Sequence, residues 1–175
     1  YNQEAPQTGT YTLVVKDGTS AGNKIADYDI HFAKSLGANE NGQLVNAGSV
    51  TGDISLGDLD TWTFEATEGE RLNIHAVDLE RTDLFMHMTL YAPDGTYVNK
   101  AGYYTVANFY NLLATQTGTY TLLVQDGTGN RTGVADYEIH FAKSLGANEN
   151  GQLVNAGSVT GDISLGDLDT WTFEA

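Results

Sequence analysis

Alternating hydrophobic and polar residues run through most of the chain, and this alternation predicts β-strands. In residues 60–66, Trp62, Phe64 and Ala66 share one face of an extended chain, while polar residues share the other. Successive side chains of a strand point to opposite sides, so the pattern is that of a strand with one buried face. We therefore expect Trp62 to lie in the core.

Similar segments recur between short runs of glycine, asparagine and aspartate, which favour turns. The clearest turn is Ala-Pro-Asp-Gly-Thr at 92–96, where proline and glycine suit the backbone angles. About eight short strands at this spacing predict an all-β fold, an antiparallel, jelly-roll-like β-sandwich. The remaining strands are predicted at 50–56, 71–78, 84–91, 103–113, 119–125 and 137–141.

The apolar positions of these strands define the expected core. A period of two places them on one face of each strand, where a second sheet can cover them. The residues expected to face inward are Leu72, Ile74, Ala76, Met86, Met88, Leu90, Tyr120, Leu122, Val124, Tyr137, Ile139 and Phe141.

The chain contains one long stretch twice. Residues 30–66 and 139–175 are identical at all 37 positions, at a constant shift of 109 residues. At the same shift, residues 8–29 match 117–138 with nine substitutions. The period exceeds the roughly 20 to 50 residues of a solenoid unit and falls within the size of a self-sufficient domain. We therefore predict tandem domains with a 109-residue period.

The repeat divides the chain into five expected parts. A complete β-sandwich is expected at 48–143. The stretches 35–47 and 144–156 are expected to be ordered linkers, because they lack a strand period and are not the Gly/Ser-rich sequence of a flexible tether. Residues 1–34 would then belong to a preceding repeat and 157–175 to a following one, as expected for a segment of a longer tandem array.

Acidic residues outnumber basic ones by 23 to 8, which gives a formal net charge of -15. Such a charge repels nucleic acid and anionic membranes, so neither is an expected partner. No apolar run approaches the roughly 18 residues of a membrane-spanning helix, which argues against membrane insertion of this segment. The absence of cysteine excludes disulfides and thiolate metal sites.

Several spaced motifs occur together in the complete unit: Gly-Asp-Leu-Asp-Thr-Trp-Thr-Phe-Glu-Ala at 57–66, Glu-Gly at 68–69, Leu-Tyr-Ala-Pro-Asp-Gly at 90–95, Thr-Gly-Thr-Tyr-Thr-Leu-Leu-Val at 117–124 and Ala-Asp-Tyr at 135–137. Together they resemble the bacterial pre-peptidase C-terminal (PPC) domain family, which includes the collagen-binding modules of clostridial collagenases. The resemblance implies a secreted β-sandwich, appended to peptidases or repeated in surface proteins. It implies no particular ligand, since one fold serves many functions.

The resemblance also implies a candidate calcium site. In calcium-binding members, acidic and amide residues before the first strand join an Asp-x-Asp pair ahead of the second. In this sequence Ala-Asn-Glu-Asn replaces the usual Glu-Pro-Asn-Asn. Calcium takes six to eight oxygen ligands, whereas Asp58 and Asp60 can equally cap backbone amides in a turn. The matching positions are Glu40, Asn41, Asp58 and Asp60, and in the second copy Glu149, Asn150, Asp167 and Asp169.

Four histidines give weak evidence for a second metal site. His31 and His140 occupy the same repeat position and are expected to be solvated. His75 and His87 lie on strands predicted to be neighbours, where they form either a zinc pair or part of a solvated sheet face. Zinc requires further ligands, so the solvated face is favoured.

Catalytic motifs are absent from the sequence, which has no G-x-S-x-G, H-E-x-x-H or P-loop pattern. Asp78, Glu80 and Asp83 cluster in one loop and could act as paired carboxylates, but such a cluster is usually a solvated turn. We therefore predict that the chain is not an enzyme.

Aromatic residues are dense in the later strands. They form either a platform for binding sugar or protein, or ordinary packing within and between repeats. These residues are Tyr91, Tyr97, Tyr103, Tyr104, Phe109 and Tyr110.

The sequence favours a non-catalytic structural protein of an extracellular filament or cell-surface appendage. Identical faces joined by identical linkers generate a regular screw arrangement, so the expected partners are neighbouring repeats or copies of the chain itself in a homopolymer. The alternative is a protein- or polysaccharide-binding accessory module of a secreted hydrolase. Both functions place the chain outside the cell.

Overall fold

The computed structural model describes residues 3–35, 37–80, 84–102, 104–144 and 149–175. These residues form two compact units, one up to Ile30 and the other from His31 to Ala175. Regular secondary structure in the described residues is entirely β, which confirms the all-β prediction.

The first unit contains local side-chain-to-backbone hydrogen bonds, and no strand is assigned among its described residues. The Tyr11 hydroxyl donates to the carbonyl oxygen of Gln7 at 2.6 Å and accepts from its amide at 3.1 Å. Asp17 accepts backbone amides of Thr19 at 2.8 Å and Lys24 at 2.9 Å. The second unit makes the same local contacts through residues 109 positions later, Tyr120 with Gln116 and Asp126 with Thr128 and Gly133.

The second unit contains two main sheets. The five-stranded sheet has the order β1-β3-β8-β5-β6, and the four-stranded sheet has the order β2-β9-β4-β7. All neighbouring strands in them are antiparallel except β1 and β3, which are parallel. The short strands β10 and β11 form a separate parallel pair. The strands are β1 Gly42–Gln43, β2 Gly48–Ile54, β3 Asp60–Ala66, β4 Arg71–Asp78, β5 Met86–Tyr91, β6 Tyr97–Ala101, β7 Val106–Leu113, β8 Gly118–Asp126, β9 Ala135–Lys143, β10 Gly151–Gln152 and β11 Trp171–Thr172.

The core lies between the two main sheets, as the alternation predicts. Trp62 is 4% exposed, and all twelve residues expected to face inward are buried. Phe64 of β3 contacts Phe141 of β9 with ring centroids 4.6 Å apart, which joins the sheets. The β-sandwich prediction is therefore confirmed, while the jelly-roll description and the 109-residue structural period stay predictions.

Strand β3 differs from the prediction because both of its faces are covered. Thr61 and Thr63, expected on an open face, are buried. The preceding segment lies against them: the Glu40 amide donates to Thr61 Oγ1 at 2.8 Å, and Thr63 Oγ1 donates to Asn39 Oδ1 at 3.1 Å. These contacts and the parallel strand β1 hold the 39–43 segment on the sandwich.

Candidate functional site

The eight candidate calcium ligands lie at the ends of short parallel strand pairs. In the first copy, Glu40 and Asn41 immediately precede β1, and Asp60 begins β3. The Thr61 amide donates to Asn41 Oδ1 at 2.9 Å, which fixes the segment before β1 beside the acidic end of β3.

The second copy forms the same local arrangement. The Glu149 amide donates to Thr170 Oγ1 at 2.8 Å, and the Thr170 amide donates to Asn150 Oδ1 at 2.9 Å. The pairing registers also correspond, with Gly42 opposite Trp62 and Gly151 opposite Trp171.

Carboxylates converge in the second copy. One oxygen from each of Glu149, Asp167 and Asp169 lies within 4.8 Å of the other two. Asn150 Nδ2 donates to Asp169 Oδ1 at 3.1 Å. Burial raises the pKa of Glu149, and the charges of Asp167 and Asp169 raise it further. A divalent cation would relieve this repulsion, so the residues fit a calcium ion that takes oxygen ligands.

The first copy arranges its carboxylates differently. Among the described residues, only the second-copy group brings three such side chains this close. Asp60 instead accepts a 2.5 Å hydrogen bond from the Tyr137 hydroxyl, which in turn accepts from Trp62 Nε1 at 2.8 Å. Because Tyr137 lies on β9 and the other two on β3, this buried chain of hydrogen bonds connects the two sheets.

The environment of Asp60 favours its protonated form. Burial raises its pKa to about 6; the hydrogen bond from Tyr137 opposes this shift and the nearby charge of Asp58 adds to it. Burial also raises the pKa of the Tyr137 hydroxyl, as does the charge of Asp60.

The turn-capping interpretation holds for Asp58 and its counterpart Asp167. Asp58 accepts the amides of Ser55 at 3.3 Å and Leu59 at 2.9 Å. Burial acts to raise its pKa, but these hydrogen bonds outweigh burial and hold the pKa below its usual value. Asp167 makes the corresponding contacts to Ser164 at 3.3 Å and Leu168 at 2.8 Å.

The pKa of Asp60 predicts a pH-dependent stability in a calcium-free buffer. The Asp60 carboxyl binds its proton more tightly in the folded protein than in the unfolded chain, where its pKa is near 3.8. The stability that this protonation contributes is therefore lost as the pH rises through about 6. Replacing Asp60 by asparagine removes the titration. As the pH rises from about 4 to about 7, the free energy of unfolding of the variant should increase by on the order of 1–2 kcal/mol relative to that of the wild type. Urea unfolding at the two pH values measures this difference. If the free energies of unfolding of the two proteins changed equally with pH, the raised pKa of Asp60 would be contradicted.

Two expectations for the histidines are wrong. His75 lies on β4 and His87 on β5, which belong to different sheets, so the two side chains cannot form a pair. His140, expected to be solvated, is only 7% exposed. It is covered because the turn containing Gly166 lies against its ring, with Asp167 Oδ1 3.7 Å from His140 Nδ1. The equivalent His31 lies 3.3 Å from Asp58 and keeps more solvent contact.

The aromatic and acidic groups divide between core and surface. Phe109 is buried, whereas Tyr97, Tyr104 and Tyr110 are exposed. The rings are spread over both sheets, since Tyr97 lies on β6 and Tyr110 on β7. The solvated turn expected at Asp78 is wrong for this residue, because Asp78 ends β4 and is fully buried, where it accepts the Glu80 amide at 2.9 Å. Asp83 and Tyr103 lie outside the described residues.

The hydroxyl of Tyr137 is the site feature that sequence reasoning missed. Its position in the alternation predicts only a core residue. The available signal is Gly52, directly opposite it on β2, where a Cβ would lie 2.5 Å from the hydroxyl oxygen. Only glycine leaves room there for the ring.

Comparison with known proteins matches residues 58–126 to the model of the bacterial pre-peptidase C-terminal domain. This range covers less than half of the chain and includes β3 to β8. No curated protein matches the chain. In the described residues, no helix is long and apolar enough to cross a membrane.

The solved structures similar to this chain include the following three. The pre-peptidase C-terminal domain of collagenase from Bacillus anthracis has 20% identity and a TM-score of 0.46, covering 59% of this chain and 96% of that one. PliG from Aeromonas hydrophila, a periplasmic inhibitor of g-type lysozyme, has 10% identity and a TM-score of 0.44, covering 55% and 85%. PliG from Salmonella Typhimurium has 17% identity and a TM-score of 0.40, covering 64% and 100%.

Proposed function

We propose that this chain is a non-catalytic, structural protein of tandem β-sandwich repeats, forming part of an extracellular filament or cell-surface appendage. The observation that carries the proposal is one side-chain contact that recurs at equivalent positions of the repeat. His31 lies 3.3 Å from Asp58, and His140 lies 3.7 Å from Asp167, at equivalent positions of the 37-residue identical stretch.

Repetition of this contact explains why sequence identity extends across the boundary between repeats. A contact made by the same residues at every boundary relates successive domains by one rotation and translation. A heterologous contact of this kind generates an open helical arrangement unless the rotation closes a ring. An accessory module with flexible linkers has no comparable need for an identical boundary.

A binding module of a secreted hydrolase is the second candidate. It is supported by the match of residues 58–126 to the pre-peptidase C-terminal domain. The exposed rings of Tyr97, Tyr104 and Tyr110 supply apolar area with a polar tip, which suits contact with a protein or polysaccharide.

Negative-stain microscopy of the native material, combined with co-sedimentation on insoluble collagen and polysaccharide, separates these functions. The structural proposal predicts long regular fibres and no enrichment on either polymer. Discrete particles that pellet with a polymer would overturn it in favour of the binding module.

Calcium is proposed as a stabilising ligand of the acidic sites. Binding to the folded state alone stabilises it by about 2.7 kcal/mol when calcium exceeds its Kd a hundredfold. For a chain of 175 residues, a change of 1 kcal/mol in the free energy of unfolding corresponds to a shift of about 2–4 °C in Tm. Millimolar calcium should therefore raise Tm by several degrees, measured by scanning calorimetry.

The variant Asp169→Asn tests the site, because it removes one charge from the convergent group. It should reduce the calcium-induced rise in Tm. Asp162→Asn is the matched control, since Asp162 is exposed and lies outside the group. An unchanged Tm in the wild type at millimolar calcium would remove the proposal.

A further inference from the structure

The outer face of the four-stranded sheet carries a patch that is covered without belonging to the core. Val77 on β4 is 3% exposed, yet it lies outside the cluster of core residues between the sheets. His140 on β9 is also buried. His75, two residues before Val77 on β4, completes the patch, which we call the outer patch. A buried valine on the outer side of a sheet requires a partner that excludes water from it.

That partner is the turn around Gly166. The carbonyl oxygen of Gly166 lies 2.7 Å from His75 Nδ1. A carbonyl oxygen can only accept, so Nδ1 must carry the proton and donate it. The contact therefore fixes the tautomer of His75 when the imidazole is neutral.

Gly166 can lie this close to the outer patch because it has no side chain. A Cβ there would lie 2.7 Å from Val77 Cγ1 and 3.2 Å from the His140 ring, at a positive φ of 81°. The identical residue in the first copy, Gly57, has a φ of 78°, but its Cβ would only meet the His31 ring at an ordinary 3.7 Å. The two glycines thus share their backbone conformation and differ in how tightly they are packed.

We infer that the outer patch is a docking surface for the next copy of the repeat, which inserts its Leu-Gly-Asp turn at 165–167 through the close approach of Gly166. The inference rests on the proposed tandem function and specifies its interface. The outer patch recognises three features of the turn: the carbonyl oxygen of Gly166 that accepts from His75, the missing side chain of Gly166 and the carboxylate of Asp167 beside His140.

Nitrogen-15 NMR of the full chain with labelled histidine measures the tautomer of His75 directly. At a pH where the imidazoles are neutral, the wild type should show His75 protonated at Nδ1. Predominant protonation at Nε2, the form usually favoured by a free imidazole, would overturn the docking.

The variant Gly166→Ala tests the close approach. It should release His75 to the Nε2 tautomer and increase the rate of proteolysis within 149–175 several-fold. Gly57→Ala is the matched control, since it imposes the same positive φ on alanine without a clash at the outer patch. It should leave His75 and the proteolysis of 149–175 unchanged. Equal effects of both variants on His75, or no effect of Gly166→Ala, would contradict the inference.

The two proposals fail in different experiments. If native fibres form but His75 carries its proton on Nε2, the structural function stands and the proposed interface is wrong. If His75 is held at Nδ1 but the native material consists of discrete particles bound to a polymer, the docking stands and the structural function is wrong.

Discussion

Replacing Trp62 by alanine is expected to destabilise the sandwich by about 3–5 kcal/mol, the range for truncating large aromatic residues in cores. The indole is 4% exposed and its Nε1 donates to the Tyr137 hydroxyl at 2.8 Å. The substitution leaves a cavity between the sheets and removes a donor from a buried hydrogen-bond chain. Urea unfolding followed by circular dichroism measures the loss.

Trp171→Ala provides a matched control, because Trp171 occupies the same repeat position in the second copy. Its side chain is only half-buried, in the short pair β10 and β11. The same change of residue should therefore cost much less stability. Equal losses for the two variants would show that burial in the complete sandwich does not determine the contribution of Trp62.

Replacing Tyr137 by phenylalanine is expected to cost about 1–3 kcal/mol, the penalty for leaving buried polar groups without a partner. The hydroxyl donates to Asp60 and accepts from Trp62, and phenylalanine removes both contacts while keeping the ring. The loss should be larger at neutral pH than near pH 4. Above its raised pKa Asp60 is ionised, and a buried carboxylate depends more on its donor than a neutral acid does.

The control for this variant is Tyr28→Phe. Tyr28 has the same repeat position, 109 residues earlier, but is 64% exposed in the first unit. Its replacement should change the free energy of unfolding by less than about 0.5 kcal/mol, as for most surface substitutions. A Tyr137 variant as stable as wild type at neutral pH would show that the hydroxyl bridge contributes nothing to the fold.

The long, strongly alternating strands could be predicted from the sequence. In β3, β4, β5 and β8 the apolar residues that share a face are the ones that meet between the sheets. The hydrophobic driving force is carried by those residues themselves, so the local pattern is sufficient.

The edge strands of the five-stranded sheet, β1 and β6, could not be predicted in the same way. β6 has the sequence Tyr-Val-Asn-Lys-Ala, which lacks a continuous apolar face, and β1 contains two residues. Both are strands because a neighbouring strand offers backbone hydrogen-bonding groups, β5 for β6 and β3 for β1. Such pairing depends on the tertiary structure rather than on the residues of the strand.

The candidate site likewise has local features that follow the sequence pattern and long-range contacts that do not. In the second copy the motif positions Glu149, Asp167 and Asp169 lie together, whereas the same positions of the first copy form no such group among the described residues, and their role as calcium ligands stays a prediction. The family motif gave no indication that Asp60 would bond to Tyr137, or that His140 would be covered by the Gly166 turn. Those contacts join residues 26 or more positions apart, and no period within the sequence encodes them.

Electron cryomicroscopy of the native material tests the structural proposal most directly. We expect fibres in which every sandwich is related to the next by one screw operation, with the Gly166 turn seated on His75 and Val77 at each boundary. Discrete particles without a repeating boundary would contradict the account.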